Sequence, residues 1–338
     1  MTNTTLIGLD LAKNVIQVCG VNRAGKSLFN RAIKRAKLLE FLAQYPGVLV
    51  AMEACSGSNY WGRKLESLGH PVRLIPPQHV KPFVKGNKND RHDAFAITEA
   101  ANRPNLNWVP PRRLEQTDML LAHRIRDRRV QQRTALTNQL RGLLGEYGIV
   151  LPAGNSRLRD ALPLLLEDAE NELTPRARHY FQELLHEWQR LDHALAGIDR
   201  DIRQQCRADE ASLRLTGIKG VAEITATAAV AIVGTGAQFR NGRHLAAHLG
   251  LVPKEHSSGG KQRLGAITKR GNKYLRRLLI QGAWSIIRYH ERSQDRLSRW
   301  ASQLIARRGK QRAAVAVANK LARIIWAMLY RQESYRVL

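Results

Sequence analysis

The sequence has few acidic residues, few cysteines and no long run of apolar residues. It contains 28 aspartates and glutamates against 55 lysines and arginines, which gives a formal net charge of +27 at pH 7. A surplus of this size repels itself in the folded state and is usually neutralised by a polyanion. We therefore expect a nucleic acid as partner. The rival, an anionic membrane surface, normally attracts one amphipathic basic segment rather than charge spread along a chain.

The scarcity of cysteine argues against a disulfide framework and against a zinc site. Cys19, Cys55 and Cys206 are odd in number, lie far apart and form no Cys-x-x-Cys pair. They predict reduced, partly buried thiols of a cytosolic protein.

Long apolar stretches are also missing. The amino terminus has neither a basic segment nor a long apolar run, so we expect no signal peptide. The most apolar late stretch, 313–329, contains Lys320 and Arg323 and is too short and too charged to span a bilayer. It predicts a buried helix, and we expect no membrane partner.

What is present is a globular composition with an uneven charge. The chain has 338 residues and is 43% apolar, which is enough for two or three domains, each with its own core. Residues 251–338 carry 20 basic and four acidic side chains, so a net +16 lies in about a quarter of the length. This predicts nucleic-acid contact in that quarter, although a solvated basic face is the alternative for any single cluster.

Residues 1–110 are predicted to form an α/β domain. Apolar and β-branched runs predict strands at 4–10, 14–22, 27–33, 47–54 and 71–75. Helical spacing predicts helices at 35–45 and 57–69. A hairpin followed by alternating helices and strands indicates a mixed sheet.

The chain is predicted to be helical after Pro110-Pro111. An arginine-rich helical pattern runs over 114–148, and apolar residues recur by threes and fours over 180–206. These two patterns predict an antiparallel helical pair or coiled-coil arm within 111–206. The remainder, 207–338, is predicted to form a basic, all-α domain.

Four carboxylates lie at the ends of predicted elements. Asp10 and Glu53 each end a strand, where α/β sheets build their sites. Asp90 and Asp93 are three residues apart at the start of a helix, which puts them on one helix face. Hard oxygen ligands suit Mg²⁺ or Mn²⁺, and two such ions can clamp the attacking and leaving oxygens of a phosphodiester.

Each carboxylate has a plainer interpretation when it is taken alone. Asp90 is a candidate N-cap, Asp93 a first-turn partner of the helix dipole, and Asp10 a turn residue. The four together, in this order, resemble the RNase H-like fold of the Holliday-junction resolvases, in which a DEDD tetrad binds two metals.

A serine- and glycine-rich loop lies in the basic C-terminal region. Ser257, Ser258, Gly259 and Gly260 offer hydroxyls and open backbone N–H groups to a phosphate. A flexible surface loop is the alternative, because an alcohol needs a base or a metal to become a useful nucleophile. No complete triad is present nearby.

Residues 215–226 resemble a helix-hairpin-helix, a unit that binds the DNA backbone through N–H groups at a helix start. Ala222 stands where the second hairpin glycine is usual. A purely structural turn is therefore the alternative.

The tetrad, the helical segment, His-Ser-Ser-Gly-Gly-Lys at 256–261 and Lys-Arg-Gly-Asn-Lys-Tyr-Leu-Arg at 269–276 together resemble the insertion-sequence transposases of the one-ten family. Within that family the two C-terminal motifs are most similar to the one-eleven-eleven subgroup. The resemblance covers nearly the whole chain. It implies a DNA transposase or recombinase whose four carboxylates hold Mg²⁺ at the scissile phosphate.

The resemblance further implies a serine nucleophile, a guide RNA and an oligomer. The serine before the first loop glycine, Ser258, would attack the phosphodiester and form a covalent phosphoserine linkage, with the adjacent Ser257 as the alternative. Donor and target DNA would be paired with a structured non-coding RNA. The implied assembly is a dimer or tetramer in which different protomers supply serine and carboxylates, in a prokaryotic cytoplasm and associated with the nucleoid.

Two other functions remain open from the residues alone. One is a metal-dependent junction resolvase or nuclease that uses water, and the other is a non-catalytic nucleic-acid-binding protein. Basic side chains of the long helix and of the C-terminal region are the candidate nucleic-acid contacts. They are Arg124, Arg126, Arg128, Arg129, Lys261, Lys269, Arg270, Arg276 and Arg277.

Overall fold

The structure, a computed structural model, describes residues 3–86, 89–106, 108–151, 154–293 and 295–335. The chain divides into two compact units, Met1–Leu114 with Ala237–Arg240, and Glu115–Gly236 with Asn241–Leu338. The boundary between the two units at 114/115 lies near the predicted domain boundary at 110, and no boundary between them lies at 206. The three-domain scheme stays a prediction, and the end of its third domain, 336–338, lies outside the described residues.

The first unit is built on a five-stranded sheet. Its strands are β1 Leu6–Leu11, β2 Val15–Val21, β3 Ser27–Lys34, β4 Leu49–Glu53 and β5 Val72–Ile75. Its helices are α1 Leu38–Leu42, α2 Ser58–Glu66, α3 Pro77–Val80 and α4 Asp90–Ala101. The five predicted strands are confirmed, whereas the helix predicted at 35–45 is shorter because a 3₁₀ turn takes up residues 35–37.

The sheet has the strand order β3-β2-β1-β4-β5. β2 is antiparallel to both β1 and β3, whereas β4 is parallel to β1 and β5. The predicted mixed sheet is therefore confirmed. The turn between β2 and β3 is closed by the Asn22 side chain, which accepts hydrogen bonds from the backbone N–H groups of Ala24 and Lys26, as Asx-turns do.

Two apolar layers cover the two faces of the sheet. Successive side chains of a strand point to opposite faces. Ile7 and Leu9 of β1 belong to the buried cluster that includes Trp61 of α2, whereas Leu6 belongs to the cluster that includes Ile97 of α4. Even-numbered residues of β1 therefore face α4, and odd-numbered residues face α1 and α2.

The second unit is helical apart from one hairpin within the described ranges. Its helices are α5 Leu114–Gly145, α6 Asn155–Glu167, α7 Pro175–Ala208, α8 Glu210–Thr216, α9 Glu223–Val233, α10 Gly242–His248, α11 Lys273–Arg288 and α12 Arg296–Arg331. The strands β6 Pro253–Glu255 and β7 Leu264–Ile267 form an antiparallel hairpin. The all-α prediction for 207–338 missed this hairpin.

Helices α5 and α7 form the antiparallel pair that the sequence predicted. Ion pairs join Arg126 to Asp199 at 2.5 Å and Arg133 to Asp192 at 2.7 Å. From one ion pair to the other, the position moves seven residues forward on α5 and seven residues back on α7, so the two helices are antiparallel. Farther along, the pair encloses an apolar core that includes the buried Trp188.

Helix α12 contains the apolar stretch at 313–329, which is helical and largely buried, as predicted. The helix is interrupted at Gly309, where φ is 76° and ψ is 162°. Among the residues with a described structure, α12 alone has the length and apolar composition to cross a membrane, and half of its apolar window is buried inside the protein. A core helix meets the same criteria.

Candidate functional site

Asp10 and Glu53 stand beside each other at the ends of two parallel strands. Leu9 of β1 is paired with Met52 of β4, so the next residues along, Asp10 and Glu53, are neighbours. Ala51 packs in the layer that contains α4, whereas Met52 packs in the opposite layer. The alternation of strand side chains therefore directs both carboxylates to the α4 side of the sheet.

Asp90 and Asp93 occupy the first turn of α4. Asn89 is the N-cap of this helix, because its side chain accepts a hydrogen bond of 2.9 Å from the backbone N–H of Arg91. The interpretation of Asp90 as an N-cap is therefore wrong. Both aspartates lie where the helix macrodipole favours negative charge.

The structure brings three of the four predicted carboxylates into a compact cluster. One oxygen from each of Asp10, Asp90 and Asp93 lies within 4.8 Å of the others. Mg²⁺ in octahedral coordination, with oxygens at about 2.1 Å, holds its ligand atoms about 3–4 Å apart. The spacing therefore fits a shared divalent cation, and Glu53 lies outside this compact group. We call Asp10, Glu53, Asp90 and Asp93 the carboxylate cluster.

Burial and crowded negative charge together raise pKa values around this cluster. Partial burial, and then the charge of Asp93, raise the pKa of Glu53. Neighbouring groups that desolvate the thiol, followed by the charges of Glu53 and Asp10, raise the pKa of Cys55, although this residue is exposed at the surface. A divalent cation would offset this repulsion, so the donor set fits a metal site.

Cys55 also corrects the prediction for the cysteines. All three are free thiols, but Cys55 is exposed, whereas Cys19 and Cys206 are buried. The prediction of partly buried thiols is therefore wrong for Cys55, which lies just beyond the end of β4.

Two residues that the sequence analysis missed hold the first turn of α4 in place. Gln17 of β2 is buried and donates a hydrogen bond of 2.7 Å to the Asn30 side chain of β3. Asn30 in turn donates to the carbonyl of Arg91 at 2.8 Å. Gln17 is the cross-strand partner of Asp10, so this chain of contacts connects the strand opposite Asp10 to the turn that carries Asp90 and Asp93. A polar residue at an inward position of an apolar strand was the available signal.

Ser258 begins a tight turn at the tip of the β6–β7 hairpin, which we call the serine hairpin (residues 253–267). The carbonyl of Ser258 accepts a hydrogen bond of 3.0 Å from the N–H of Lys261. Gly259 and Gly260 between them have φ values of 55° and 74°. Two consecutive positive φ values are typical of a type I′ hairpin turn. The loop is therefore a regular turn, and both serines are exposed.

The two serine hydroxyls differ in their partners. Ser257 Oγ donates to the Glu255 carboxylate at 2.7 Å and accepts from the N–H of Arg263 at 3.1 Å. Ser258 Oγ has no hydrogen-bond partner among the described residues. Ser257 is thus held within the hairpin, whereas Ser258 is presented to solvent. The choice of Ser258 as nucleophile stays a prediction.

The turn at 215–226 lies between α8 and α9, as a helix-hairpin-helix requires. Gly220 has a φ of 80°, and a Cβ on it would lie 2.6 Å from the carbonyl oxygen of Gly282 in α11. The turn is thus pressed against another helix of its own unit. This close contact favours the structural interpretation.

The nine basic residues proposed as nucleic-acid contacts fall into two groups. The exposed ones are Arg124, Arg128, Lys261, Lys269 and Arg270. The others donate hydrogen bonds to groups of the protein itself, and they are Arg126, Arg129, Arg276 and Arg277. Arg276 is the clearest case, because it is only 8% exposed and donates to the carbonyls of Leu249 and Arg270. A buried guanidinium held in this way is a structural residue, and for the exposed group the role stays a prediction.

His123 of α5 is a buried titratable group that the sequence analysis also missed. Its Nδ1 lies 3.0 Å from the Tyr274 hydroxyl and its Nε2 lies 3.0 Å from the Thr227 hydroxyl. Thr227 donates to the carbonyl of Glu223, so its oxygen accepts from Nε2–H, and Nδ1 accepts from Tyr274. Burial, together with the nearby charge of Arg126, lowers the pKa of His123 to about 4.

Two family models match this chain. The model DEDD_Tnp_IS110, described as "Transposase", matches residues 7–149, which include the whole carboxylate cluster. A model described as "Transposase IS116/IS110/IS902 family" matches residues 212–298, which include the serine hairpin.

Curated relatives match along the full length of the chain. A "Probable family 20 transposase" of Pseudomonas aeruginosa is 47% identical over 335 residues, which cover 99% of each chain. The "Transposase for insertion sequence element IS1111A" of Coxiella burnetii is 45% identical and covers 99% of this chain and 92% of its own. The "Transposase for insertion sequence element IS1328" of Yersinia enterocolitica is 39% identical, with 97% of each chain covered.

Proposed function

The chain belongs to the IS116/IS110/IS902 family of transposases, the one-ten family of the sequence prediction, and we propose that it cuts and rejoins DNA at a divalent-cation site formed by its carboxylate cluster. As a member of this family it is a DNA transposase of an insertion sequence. The observation that carries the proposed site is the meeting of Asp10, Asp90 and Asp93 within 4.8 Å.

The carboxylate cluster would hold Mg²⁺ or Mn²⁺ through hard oxygen ligands. Bound there, the metal would polarise the scissile phosphate and lower the cost of the charge that develops on it. Glu53 stands beside Asp10 at the adjacent strand end and would supply a further ligand. Gln17 and Asn30 would keep Asp90 and Asp93 in position through the first turn of α4.

Ser258 would supply the nucleophile. Its Oγ would attack the phosphorus, lose its proton and form an Oγ–P bond, while the bond from phosphorus to the deoxyribose oxygen breaks and that oxygen takes up a proton. The phosphoserine linkage conserves the energy of the phosphodiester, so a second DNA hydroxyl can reverse the step and rejoin strands without ATP. The free, exposed hydroxyl of Ser258 supports this assignment over Ser257.

An RNase H-like fold would place the carboxylates as proposed. The strand order β3-β2-β1-β4-β5, in which β2 is antiparallel to β1 and β3 and β4 is parallel to β1 and β5, supports it. The membership of the family and the +27 net charge support DNA as substrate. The remaining parts of the proposal are supported by the family resemblance. They are a structured guide RNA, a dimeric or tetrameric assembly, and a cytoplasmic, nucleoid-associated location without a membrane partner.

The proposal is tested on DNA that carries the ends of the element. The purified chain, supplied with the structured RNA of its element, should form a covalent protein–DNA adduct in Mg²⁺ and no product in a chelator. Ser258→Ala should remove the adduct, Ser257→Ala should keep it, and Asp10→Ala should block cleavage. Products that persist in the chelator would contradict the metal site.

The same assay separates transfer from hydrolysis and tests for a composite site. If Ser258→Ala still recombines DNA, the serine mechanism is wrong. If it cleaves without forming an adduct, the water-using nuclease is the better description. Mixing Asp10→Ala chains with Ser258→Ala chains should restore adduct formation when different protomers supply the two halves, and inactive mixtures would contradict that arrangement.

A further inference from the structure

A basic, aromatic cleft opens in the first unit, apart from the carboxylate cluster. Its volume is about 640 Å³, which is within the range of sites for small organic ligands. The turn after β1, the end of β3 and the start of α2 form its walls. The lining side chains that matter are Lys13, Lys34, Arg35, Tyr60 and Trp61. We call this feature the aromatic cleft.

The cations of the aromatic cleft are available to a ligand. Lys13, Lys34 and Arg35 are exposed, and none of them forms an ion pair with a residue that the structure describes. Lys37, just outside, is different because it pairs with Glu40 at 2.8 Å. Three unneutralised cations around one cleft favour an anion with more than one charged group.

The aromatic side chains give the cleft a stacking surface. Trp61 is 4% exposed and is fixed in the core of the sheet, with the guanidinium of Arg35 4.9 Å from its ring centre. Tyr60 packs edge-on against Trp61, with 5.3 Å between ring centres, yet is 45% exposed. An aromatic ring with a large exposed fraction is a surface on which an unpaired base can stack.

The aromatic cleft and the carboxylate cluster lie at the same end of the sheet. The cleft is built on the α1/α2 side, where Trp61 packs, and the cluster lies on the α4 side. Lys13 follows Asp10 by three residues, so their Cα atoms are at most about 11 Å apart. A DNA strand that crosses the carboxylates would reach the cleft by passing over the end of β1.

We propose that the aromatic cleft binds an unpaired nucleotide of the DNA strand, within a few nucleotides of the phosphate at the carboxylate cluster. The base stacks on Tyr60, and Lys13 and Lys34 contact the flanking phosphates. This inference rests on the proposed function only for its position relative to the scissile phosphate. The cleft would keep the strand single and aligned while it is cut.

Binding without chemistry tests this directly. A short oligothymidine with one 2-aminopurine is titrated with the full-length protein in a chelator, and both affinity and fluorescence quenching are recorded. Tyr60→Leu should weaken binding by about 5- to 150-fold and abolish quenching, since a base–aromatic stack contributes about 1–3 kcal/mol. Tyr60→Phe keeps the ring and should stay close to the wild type. Loss of quenching in Tyr60→Phe as large as in Tyr60→Leu would overturn the stacking role.

The lysines are tested by the salt dependence of the same titration. The double variant Lys13→Gln, Lys34→Gln should reduce the slope of log affinity against log salt by about 1.4, because each phosphate contact on a single strand contributes about 0.7. Lys26→Gln is the matched control, since Lys26 is exposed in the turn between β2 and β3 at the opposite end of the sheet. An equal change in slope for the control would overturn the assignment of the phosphates to this cleft.

Two further experiments test whether the binding depends on the proposed chemistry and whether the bound strand is DNA or RNA. Asp10→Asn should lose DNA cleavage yet keep the quenching, so a failure of the proposed chemistry does not alter the binding result. An RNA oligomer of the same sequence is run in parallel. If Tyr60→Leu weakens the binding of the RNA oligomer but not of the DNA oligomer, the assignment to the DNA strand is wrong. It is also wrong if Tyr60→Leu binds the DNA oligomer with unchanged affinity and unchanged quenching.

Discussion

The carboxylate cluster of the first unit and the serine hairpin of the second are built in opposite ways. Asp10 and Glu53 lie side by side at the carboxyl ends of the neighbouring strands β1 and β4, and the turn that carries Asp90 and Asp93 is tied to the sheet through Asn30. Ser258, by contrast, lies at an exposed tip shaped by a two-glycine turn. The cluster depends on the packing of its unit, whereas the local geometry of the hairpin depends on its turn.

Charge explains this difference. Burying carboxylates and crowding them together both cost free energy, and burial first and then the charge of Asp93 raise the pKa of Glu53. A packed scaffold therefore has to hold the carboxylates together. A serine hydroxyl is neutral and can be exposed at little cost. We therefore expect changes in the sheet to impair metal binding, and changes in the turn to impair only the serine.

The largest effect is expected from removing one carboxylate. Asp93→Asn should lower the rate of DNA cleavage in Mg²⁺ by about 10³-fold, because a metal site contributes several kcal/mol and each 1.36 kcal/mol is tenfold in rate. Single-turnover cleavage measures this. Glu99→Gln, on the same helix and paired with Arg103, is the control and should remain near the wild-type rate. A loss of less than tenfold for Asp93→Asn would remove it from the metal site.

The next effect concerns the support of the cluster. Asn30→Leu removes the hydrogen bonds that connect Gln17 to the first turn of α4. It should weaken the apparent Mg²⁺ affinity by about 10- to 100-fold, because the loss of a residue that orients metal ligands typically has an effect of this size. Cleavage at saturating Mg²⁺ should largely recover. Asn105→Leu, at an exposed position after α4, is the control. An unchanged Mg²⁺ requirement would show that the turn holds its place without the sheet.

A pH change should weaken the second unit through His123. The imidazole takes up a proton near pH 6.5 when unfolded but only near pH 4 when folded. The stability that its neutral form contributes is therefore complete above pH 6.5 and is lost as the pH falls towards 4, by about 1–3 kcal/mol. Denaturant unfolding of the wild type and of His123→Gln across this range measures the difference. Parallel curves for the two proteins would contradict the buried neutral imidazole.

The smallest change in stability is expected at the tip of the serine hairpin. Gly260 has a φ of 74° and nothing within 4 Å of an added Cβ, so Gly260→Ala strains the backbone by about 1 kcal/mol without a clash. Adduct formation through Ser258 should fall, while the Mg²⁺ requirement stays the same. Gly142→Ala, in α5 and equally open, should leave both unchanged. If Gly260→Ala changes the Mg²⁺ requirement, the serine hairpin and the carboxylate cluster are not independent in the way proposed here.

Local signals in the sequence predicted a large part of this structure. Alternating apolar residues predicted all five strands of the sheet, and the spacing of 180–206 predicted the paired helix α7. The same signals failed where a local alternative existed. Asp90 was a possible N-cap until Asn89 proved to take that role, and the serine loop formed a hairpin within a region predicted to be helical.

Contacts between distant residues could not be predicted, because no local pattern encodes them. The link from Gln17 to Asn30 and on to Arg91 joins three separate elements. His123 became a neutral, buried imidazole through partners more than a hundred residues away. Arg276 counted as a nucleic-acid contact by composition, but the structure buries it among backbone carbonyls.

The sequence by itself determined the strands, the long helices, the basic surplus and the presence of four carboxylates at element ends, since these follow from local spacing and composition. Only the tertiary structure decided that Asp10 meets Asp90 and Asp93, some eighty residues further along the chain. That meeting depends on the register of β1 with its neighbours and on the packing of α4 against one face of the sheet. Register and packing are properties of the whole fold, because each is set by buried surfaces contributed from several elements at once.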